Sequence, residues 1–460
     1  MMMNAIVTGA IAPKSFDRIP TITLPQDYFT TMPSYLARMA REHGPIFRRM
    51  VPPHMQPVLG EWIVYLVGPE ANRFVLQSHR QAFSHDRGWS PILMGVFEQG
   101  LLNTDDPAHA RQRKMMNPAF AVSYMNAYLP IMEVVIADRT RDWADRGEVD
   151  LYAEARKITF DVAAAALTGL RTGAEVDRLR ELFYELVRPD GAGAYASMQD
   201  YFMHIADVRA ELDAILLDKI AQRRQDPTDD LLGMLVAARD DEGRAFGDRD
   251  ILGHLHILLV AGHETSTTLA AWLLYLLATH PDYLARVHAE LDAIVGAAAG
   301  TDDRALGLRE IRGLRALGRA VDEAGRLYSP VGNVPRGTVE EVAFGGYTVP
   351  AETRVLLSLS ACHRLPEVFA DPDAFDPGRF APPREEDKRT PYGLVTFGGG
   401  PRICIGINFA GIEIRALAAR VLRAYTLEPR PGHTPVQAYN GVTAMVEGGI
   451  PVRVKRRASS

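Results

Sequence analysis

The sequence predicts a mainly α-helical protein with small β-sheets, and three observations carry that prediction. Apolar residues recur at i, i+3 and i+4 from about residue 69 to 325, as on the buried faces of helices. A long apolar run follows Asp248 and stops at Pro281, which predicts a helix through the middle of the molecule. Short strand-like runs lie on either side of this helical region.

The elements follow one another without a linker. Three prolines within residues 1–32 predict an irregular segment, and residues 33–460 are expected to form one catalytic domain. Two strands are predicted before the helices, at 46–47 and 62–67, and two lid helices within 170–225. In the long helix, Asp248 is the predicted N-cap. A strand-rich patch at 334–359, a Pro- and Arg-rich loop, a helix from about 406 to 423 and short strands complete the chain.

Composition excludes several classes of protein. The 460 residues carry a net charge of −6, which gives no basic face for nucleic acid. The N-terminus is too weakly apolar for a membrane anchor, and polar residues inside the long helix would be costly in lipid. Two cysteines, Cys362 and Cys404, fit a reducing compartment. We therefore expect a soluble, cytoplasmic, monomeric protein with no nucleic-acid partner and no membrane anchor.

Histidines of the long helix do not form a zinc motif. His263 and Glu264 begin like HExxH, but Thr267 occupies the second histidine position. His254 and His256 are two residues apart and so point to different faces of the helix. The glycine clusters near 345 and 398 lack the strand-then-helix context of a nucleotide-binding loop.

Cys404 lies in the segment TFGGGPRICIGINF, whose composition is unusual for a buried structural cysteine. Three consecutive glycines at 398–400 permit positive φ and a close backbone approach just before a predicted helix. The N–H groups of that helix start, together with Arg402, are expected to lower the pKa of the thiol. Such a thiolate suits either a nucleophile or a soft metal ligand, and no partner-histidine signature accompanies it.

Residues 397–406, FGGGPRICIG, match the pattern FxxGxRxCxG at every fixed position and resemble the haem-thiolate loop of the cytochrome P450 family. The resemblance implies the cytochrome P450 fold, with haem b (iron protoporphyrin IX) between the long central helix and the cysteine-loop helix. It makes Cys404 the axial ligand of the haem iron. It also implies that Phe397, Gly398 and Gly406 contact the haem. The resemblance extends from about residue 33 to 451.

Further motifs occur in the chain order of that family. Glu323 and Arg326 match its ExxR helix, and PDAFDPGRF supplies Arg379, which would complete a structural Glu–Arg–Arg cluster. The remaining matches concern basic residues that the resemblance assigns to the haem propionates, because buried carboxylates require cationic partners. These residues are His109, Arg113, Arg336 and Arg402.

The middle of the long helix matches the oxygen-activation segment of the family, [AG]-Gx-[DE]-T, at residues 261–265. Gly262 and the Thr265 hydroxyl are expected to loosen the helical hydrogen-bond ladder and to open a groove. Glu264 and Thr265 would act as an acid–alcohol pair that relays protons. A carboxylate in so apolar a helix is expensive, which favours a functional role.

The resemblance implies a monooxygenase that inserts one oxygen atom of O₂ into a lipophilic small molecule by hydroxylation or epoxidation. A haem-thiolate peroxygenase or isomerase commonly lacks the acid–alcohol pair, and a haem sensor would carry an output domain; both stay open as alternatives. By position in the family, the following residues would line the substrate pocket: Trp89, Met94, Phe97, Val260, Ala261, Val331, Val334, Thr443 and Met445.

The short tail after Cys404 leaves no room for a flavin domain. Electrons are therefore expected from a ferredoxin or flavodoxin with an NAD(P)H-dependent reductase, as in bacterial members of the family. A basic group on one short helix, Arg111, Arg113 and Lys114, is expected to dock an acidic electron carrier together with Arg364 and Arg402. The competing interpretation is a solvated basic patch that is partly used by the propionates.

Overall fold

Helices carry most of the fold in the computed structural model, which describes residues 12–93, 96–170, 173–187, 197–295, 304–440 and 443–457. The helices are α1 (Tyr28–His43), α2 (Gln56–Leu59), α3 (Pro69–Arg73), α4 (Asp86–Leu93), α5 (Ala108–Met116), α6 (Met125–Thr140), α7 (Trp143–Arg146), α8 (Leu151–Thr168), α9 (Ala174–Leu186), α10 (Met198–Gln225), α11 (Leu231–Ala237), α12 (Asp248–Thr279), α13 (Pro281–Val295), α14 (Leu308–Gly313), α15 (Arg315–Leu327), α16 (Leu359–Cys362), α17 (Glu386–Arg389) and α18 (Ile407–Ala424). The predicted fold class, mainly helical with small sheets, is confirmed.

Short strands form four sheets among the described residues. The strands are β1 (Ile46–Met50), β2 (Trp62–Val67), β3 (Phe83–Ser84), β4 (Glu148–Asp150), β5 (Asn333–Thr338), β6 (Val342–Phe344), β7 (Tyr347–Val349), β8 (Arg354–Ser358), β9 (Tyr425–Pro429), β10 (Val436–Tyr439), β11 (Ala444–Glu447) and β12 (Pro451–Arg456). The largest sheet has the order β1-β2-β8-β5-β3, in which β2 and β8 are parallel and the other neighbours antiparallel.

The start of α1 corrects one prediction. The helix begins at Tyr28, inside the segment 1–32 that was expected to be irregular, and it continues through Pro33. Proline removes one backbone donor and normally breaks a helix. Here the buried face of α1, which includes Met32 and Leu36, packs into the core, and this burial outweighs the lost hydrogen bond.

The long apolar helix is α12, and it lies at the centre of the molecule as predicted. It packs against α8, α10, α15 and α18, and most of its side chains are buried. Its N-cap is Gly247 rather than Asp248, because the Asp250 carboxylate accepts the Gly247 N–H at 3.0 Å. The described parts of 170–225 hold the two predicted helices, α9 and α10.

Two helical stretches are long and apolar enough to cross a membrane by length and composition. They are Ala108–Arg146 and Asp248–Thr279, of which 50% and 67% of the most apolar window is buried inside the protein. Core helices satisfy the same criteria, and burial identifies both stretches as part of the core.

The sheet β1-β2-β8-β5-β3 and α18 place the predicted site residues. β5 carries Arg336 in register with Val355 of β8, and Ser84 of β3 pairs with Gly337. α18 begins two residues after the Cys404–Ile405 pair and packs beneath α12. The candidate site therefore lies among β5, the loop before α18, and the middle of α12.

Candidate active site

The glycines before Cys404 fold the chain into a tight loop. Gly398 and Gly400 have φ of +73° and +64°, a region that side chains other than glycine rarely adopt. A Cβ atom on Gly400 would lie 2.1 Å from the carbonyl oxygen of Leu76. The Cys404 N–H donates to the Phe397 carbonyl at 2.9 Å and closes the loop. Close backbone packing thus fixes Cys404 just ahead of α18.

The Cys404 side chain remains accessible to solvent inside the fold. Residues 405–411 are mostly half-buried, although α18 continues into a fully buried segment. Open space therefore adjoins the thiol and the first turns of α18.

The pKa of the Cys404 thiol corrects a prediction. Protein atoms around the sulfur desolvate it and raise this pKa above its usual range although one side of Cys404 stays open, and the opposing effects of the Gly406 N–H and Arg113 do not outweigh this. Arg402, expected to lower the pKa, instead donates to the Thr104 carbonyl at 2.8 Å. The direction of this pKa gives no support to a free nucleophile. A metal ion would deprotonate a coordinating thiol directly.

Helix α5 lies against the cysteine loop. Arg113 Nη1 donates to the Ile403 carbonyl at 2.7 Å, and its Nε donates to Asn117 Oδ1 at 2.8 Å. His109, one turn earlier on α5, is buried. Of these two expected propionate partners on α5, Arg113 thus contacts the cysteine loop itself.

Four basic side chains meet beside the loop, and we call them the Arg–His cluster: His85, His109, Arg336 and Arg402. Burial lowers the pKa of His85 far below its usual range, and Arg336, Arg402 and His109 reinforce the effect. Burial and then Arg402 lower the pKa of His109 to about 4. Asp106 Oδ1 lies 3.3 Å from His109 Nδ1 and 3.6 Å from Arg402 Nη2. The Asp106 carboxylate therefore lies within ion-pairing distance of both His109 and Arg402.

Arg336 tests whether the cluster fits an anionic cofactor. Its side chain is 4% exposed, and its Nη1 donates to the neighbouring Pro335 carbonyl at 2.7 Å. No carboxylate of a described residue lies within ion-pairing distance of it, and burial lowers its pKa to about 9. A buried cation is stable only with an anion. The two propionates of haem are such anions, so the residues present fit the group.

The middle of α12 faces the same region. Ala261 is exposed although it lies at the centre of the molecule, and a Cβ atom on Gly262 would meet nothing within 4 Å. α12 is nevertheless an uninterrupted helix, so the predicted loosening of its hydrogen-bond ladder is not observed. The Thr265 hydroxyl donates to the Ala261 carbonyl at 2.7 Å. The open space thus arises from small side chains rather than from a broken helix.

Glu264 and Thr265 are not hydrogen-bonded to each other in the part of the chain that the structure describes. Glu264 Oε1 accepts from Arg156 Nη2 of α8 at 3.0 Å. The Glu264 carboxylate therefore points toward α8, while the Thr265 hydroxyl is hydrogen-bonded to the backbone of α12.

The predicted Glu–Arg–Arg cluster is assembled and fully buried. Arg326 makes two bonds of 2.8 Å to Glu323, and Arg379 Nε lies 3.0 Å from Glu323 Oε1. The sequence did not reveal a fourth member, Glu386, which lies 2.8 Å from Arg379 Nη1. This cluster ties α15 to the segment before the cysteine loop.

Comparison with known proteins agrees with this geometry. The family model described as Cytochrome P450 matches residues 13–452. The chain belongs to the cytochrome P450 family. It is 30% identical over 436 residues to a putative cytochrome P450 136 of Mycobacterium tuberculosis, covering 92% of this chain and 85% of that protein. A sterol 14alpha-demethylase of Mycolicibacterium vanbaalenii is 28% identical over 407 residues, covering 86% of this chain and 88% of that protein.

Solved cytochrome P450 structures share the fold. The retinoic acid-bound cyanobacterial CYP120A1 superposes with a TM-score of 0.80 at 25% identity, covering 97% of this chain and 99% of that chain. CYP102L1 gives a TM-score of 0.83 at 23% identity, covering 97% and 100%. Cytochromes P450 are monooxygenases that bind haem b through a cysteine thiolate, and this chain is a cytochrome P450 monooxygenase.

Most residues expected to line the substrate pocket of this cytochrome P450 are apolar and incompletely buried. Val331 forms an isolated bridge with Thr443, which joins two of the lining segments. Phe97 packs 5.9 Å from His256 between ring centroids, and Trp89 on α4 is buried. The others that the structure describes are Val260, Ala261, Val334 and Met445, all at least partly exposed. Met94 lies outside the described residues.

Two members of the basic group on α5 of this cytochrome P450 form ion pairs with acidic residues. Arg111 Nε lies 2.5 Å from Asp240, and Lys114 Nζ lies 2.7 Å from Asp241. The acidic residues follow α11 and neutralise the basic ones. Arg364 is also paired, with Asp373 at 2.5 Å. These pairs reduce the net positive charge of the group, and its docking of an acidic electron carrier stays a prediction.

Several residues of the site carry no sequence signal. His85 follows strand β3 and joins the Arg–His cluster, and Arg156 reaches Glu264 from α8. Glu413 on α18 is fully buried beside Ser266 of α12, and burial raises its pKa to about 8. A buried carboxylate is visible in the sequence only as one acidic residue within an apolar helix.

Proposed function

We propose that this cytochrome P450 inserts one oxygen atom of O₂ into a lipophilic small molecule, by hydroxylation or epoxidation, with Cys404 as the haem ligand. The observation that carries the assignment is Arg336, a buried guanidinium without a carboxylate partner among the described residues, in the cluster beside the accessible Cys404 loop. A cation held in this way requires an anionic ligand. A dicarboxylate cofactor ligated by the thiol supplies it.

Each residue has a defined task in this proposal. When bound, the haem supplies the chemistry of oxygen reduction and oxygen transfer. Cys404 Sγ holds the iron, and the Arg–His cluster binds the propionates by charge-assisted hydrogen bonds. Gly262 adds no side chain to the open space beside the middle of α12, where oxygen and substrate would need room. Thr265 presents a hydroxyl beside that space. Glu264, the preceding residue on α12, is the acid that would relay protons to it.

A lipophilic substrate is supported by the apolar character of the lining residues. Two similar proteins support the same class of substrate, since one is a sterol 14alpha-demethylase and the other was solved with retinoic acid bound. Both molecules are large and mostly apolar. We infer a substrate of that general class for this protein.

Electrons come, in this proposal, from a separate ferredoxin or flavodoxin with an NAD(P)H-dependent reductase. A single chain contributes every group of the proposed site, which supports a monomeric enzyme. The most apolar windows of the two helical stretches are 50% and 67% buried inside the protein, which supports core helices rather than membrane spans and is compatible with the proposed cytoplasmic location. Steady NADPH oxidation with ferredoxin and reductase distinguishes a monooxygenase from a peroxygenase, an isomerase or a sensor.

The ligand assignment is tested by replacing each cysteine. Cys404→Ala should abolish the red-shifted Soret band of the reduced carbon monoxide complex, which marks thiolate ligation. Cys362→Ala is the matched control, because Cys362 is buried 3.5 Å from the Gly393 carbonyl, and burial raises its pKa to about 12. A Cys404→Ala protein that retains the band contradicts the assignment.

The proton-relay assignment is tested by Thr265→Ala. The variant should bind haem and a substrate found by a ligand-induced spin-shift screen, yet divert NADPH electrons into hydrogen peroxide. General acid–base groups typically contribute ~10²–10⁴-fold, so a change of about twofold or less in product per NADPH contradicts the relay. Thr279→Ala is the control, since Thr279 makes the same bond to the preceding turn, 3.0 Å from Tyr275 O, at the end of α12.

A further inference from the structure

A buried threonine of α12 contacts the hairpin formed by β10 and β11. The Thr268 side chain is fully buried, and its Oγ1 donates to the Ala444 carbonyl of β11 at 3.2 Å. The same Oγ1 lies 3.2 Å from the Glu264 carbonyl oxygen, one helical turn earlier. A hydroxyl has one proton, so the two carbonyl oxygens share it. Thr268 thus ties α12 to a strand residue that is 176 positions further along the chain.

The register of β10 and β11 explains why the Ala444 carbonyl can accept this bond. Ala444 lies opposite Tyr439. In the same register, Asn440 lies opposite Thr443, and its N–H donates to the Thr443 carbonyl at 3.1 Å. Hydrogen-bonded pairs alternate along an antiparallel ladder, so the N–H and C=O groups of Ala444 point away from β10. The N–H donates to the Pro330 carbonyl at 2.9 Å, and the C=O accepts from the hydroxyl on α12.

The side chains on either side of Ala444 belong to the proposed lining of the substrate pocket. Ala444 itself is buried in the core, whereas Thr443 and Met445 point to the opposite face of the strand and are half-buried. Thr443 also forms the isolated bridge with Val331, another proposed lining residue. The position of the hairpin relative to α12 therefore sets how far these side chains lie from the open space beside Gly262.

We propose that Thr268 is a positioning residue for substrate specificity, which holds the β10–β11 hairpin against α12 and so fixes the width of the pocket between them. The proposal rests on the proposed function in that Thr443 and Met445 line the substrate pocket. A lipophilic ligand that contacts both α12 and the hairpin binds best when the hairpin is already in place, because binding then requires no further ordering. A ligand too small to reach the hairpin does not depend on Thr268.

The size of the effect follows from the loss of one buried hydrogen bond. Thr268→Val keeps the shape of the side chain and removes its hydroxyl, so the buried Ala444 carbonyl loses its donor on α12. A hydrogen bond of this kind contributes roughly twofold to tenfold to an equilibrium. The fraction of protein with the hairpin in place should fall by up to about tenfold, and the dissociation constant of a pocket-filling ligand should rise by the same factor.

Two azoles that coordinate the haem iron of the holoenzyme probe the pocket without a known substrate or a redox partner. Imidazole is small, whereas clotrimazole carries a bulky triaryl group that fills an apolar pocket. Both shift the Soret band when their nitrogen binds the iron, so spectral titration gives the ratio of the clotrimazole to the imidazole dissociation constant. Thr268→Val should raise this ratio roughly twofold to tenfold. Thr268→Ser keeps the hydroxyl and should restore the wild-type ratio in large part.

Thr267, the preceding residue of α12, provides the matched control. It is as fully buried as Thr268, and its hydroxyl also donates to the carbonyl one turn earlier, that of His263 at 2.9 Å. The Thr267 hydroxyl lies 2.7 Å from the Thr159 hydroxyl of α8, so it faces α8 rather than the hairpin. Thr267→Val should therefore leave the ratio of the two dissociation constants unchanged.

The Soret band of the same samples separates two kinds of failure. A wild-type reduced carbon monoxide complex without the thiolate band contradicts the proposed function itself. With a normal thiolate band, a Thr268→Val ratio equal to or below that of the wild type overturns the positioning role alone. A Thr268→Ser ratio as high as that of Thr268→Val overturns it too, as does an equal rise in Thr267→Val.

A second variant covers the case in which Thr268→Val does not bind haem. Thr268→Ala then carries the same comparison, because it also removes the hydroxyl and places a good helix former in α12. Loss of haem from both variants overturns the proposal, since the hydroxyl would then be required for the fold rather than for the position of the hairpin.

Discussion

Replacing Arg336 by methionine should have opposite effects on the haem-free and the haem-bound protein. Methionine keeps an unbranched stem that fills the space in β5 but removes the charge. In the haem-free protein, this charge is buried with no carboxylate of the described residues at ion-pairing distance, and the more distant Asp105 offsets its burial only in part. In the haem-bound protein, a propionate is its expected partner. The substitution therefore removes the desolvation cost of the charge from the haem-free protein and removes the attraction to the propionate from the haem-bound protein.

The pKa gives the magnitude for the haem-free protein. Burial, followed by Arg402, lowers the pKa of Arg336 from 12.5 to about 9. A tenfold change in a dissociation constant corresponds to about 1.4 kcal/mol, so burial opposes the charged form by on the order of 5 kcal/mol. Arg336→Met should recover about half of this, since the replacement packs imperfectly, and raise the free energy of unfolding by ~2 kcal/mol. Removing one partner of a buried ion pair costs ~3–5 kcal/mol, so haem should dissociate at least ~100-fold faster.

Two assays measure these effects. Urea unfolding of the haem-free protein gives the free energy of unfolding, and transfer of haem to an excess of apomyoglobin gives the dissociation rate. The pH dependence has a defined sign: the folded pKa lies below the unfolded one, so the charge destabilises the fold fully below pH 9. The destabilisation is relieved as the pH rises above 9. Wild-type protein should therefore gain stability relative to Arg336→Met between about pH 8 and pH 11.

Arg354 provides the control. It is buried in the neighbouring strand β8, where it lies opposite Gly337 and so on the other face of the sheet from Arg336. Burial lowers its pKa to about 10, and its Nη2 donates to the Gly88 carbonyl at 2.9 Å. Arg354→Met should not accelerate haem loss. A wild-type rate of haem loss in Arg336→Met, or a haem-free Arg336→Met that unfolds more readily than wild type, would refute the reasoning.

Two further predictions concern the framework of the site. Glu323→Gln removes the carboxylate that two fully buried arginines share, and the free energy of unfolding in urea should fall by ~3–5 kcal/mol. A fall of less than about 1 kcal/mol would contradict the stabilising role of that ion pair. Gly400→Ala should cost more stability than Gly432→Ala, because both glycines have positive φ but only Gly400 also faces a carbonyl oxygen at 2.1 Å. Strain alone is worth ~1 kcal/mol, so equal thermal shifts for the two variants would show that the close approach carries no cost.

The parts of the site that the sequence predicted are those with a distinctive local pattern. The cysteine loop has three glycines and fixed neighbours within ten residues, and the Glu323–Arg326 pair is one helical turn apart. The structure assembles this pair with Arg379 as expected. The long apolar helix and the small sheets were likewise visible, because their hydrophobic periods are strong.

The parts that were missed depend on pairs far apart in the chain. Arg156 and Glu264 are 108 residues apart, and Lys114 and Asp241 are 127 apart. Either basic residue looks like a free surface charge until its partner is known. The pKa of Cys404 was predicted in the wrong direction because burial, which the sequence does not show, outweighs the nearby N–H groups.

The parallel pairing of β2 with β8 joins residues 62–67 to residues 354–358, and the same sheet carries Arg336. The sheet therefore has high contact order and closes only after some three hundred intervening residues have been made. During synthesis, a ribosome-bound chain that stops before β8 holds His85, His109 and Arg336 but lacks the cysteine loop and the strand that joins β5 to β2. Cofactor capture is thus a late, post-translational event, and the early helices must remain compact without it while the rest of the polypeptide emerges.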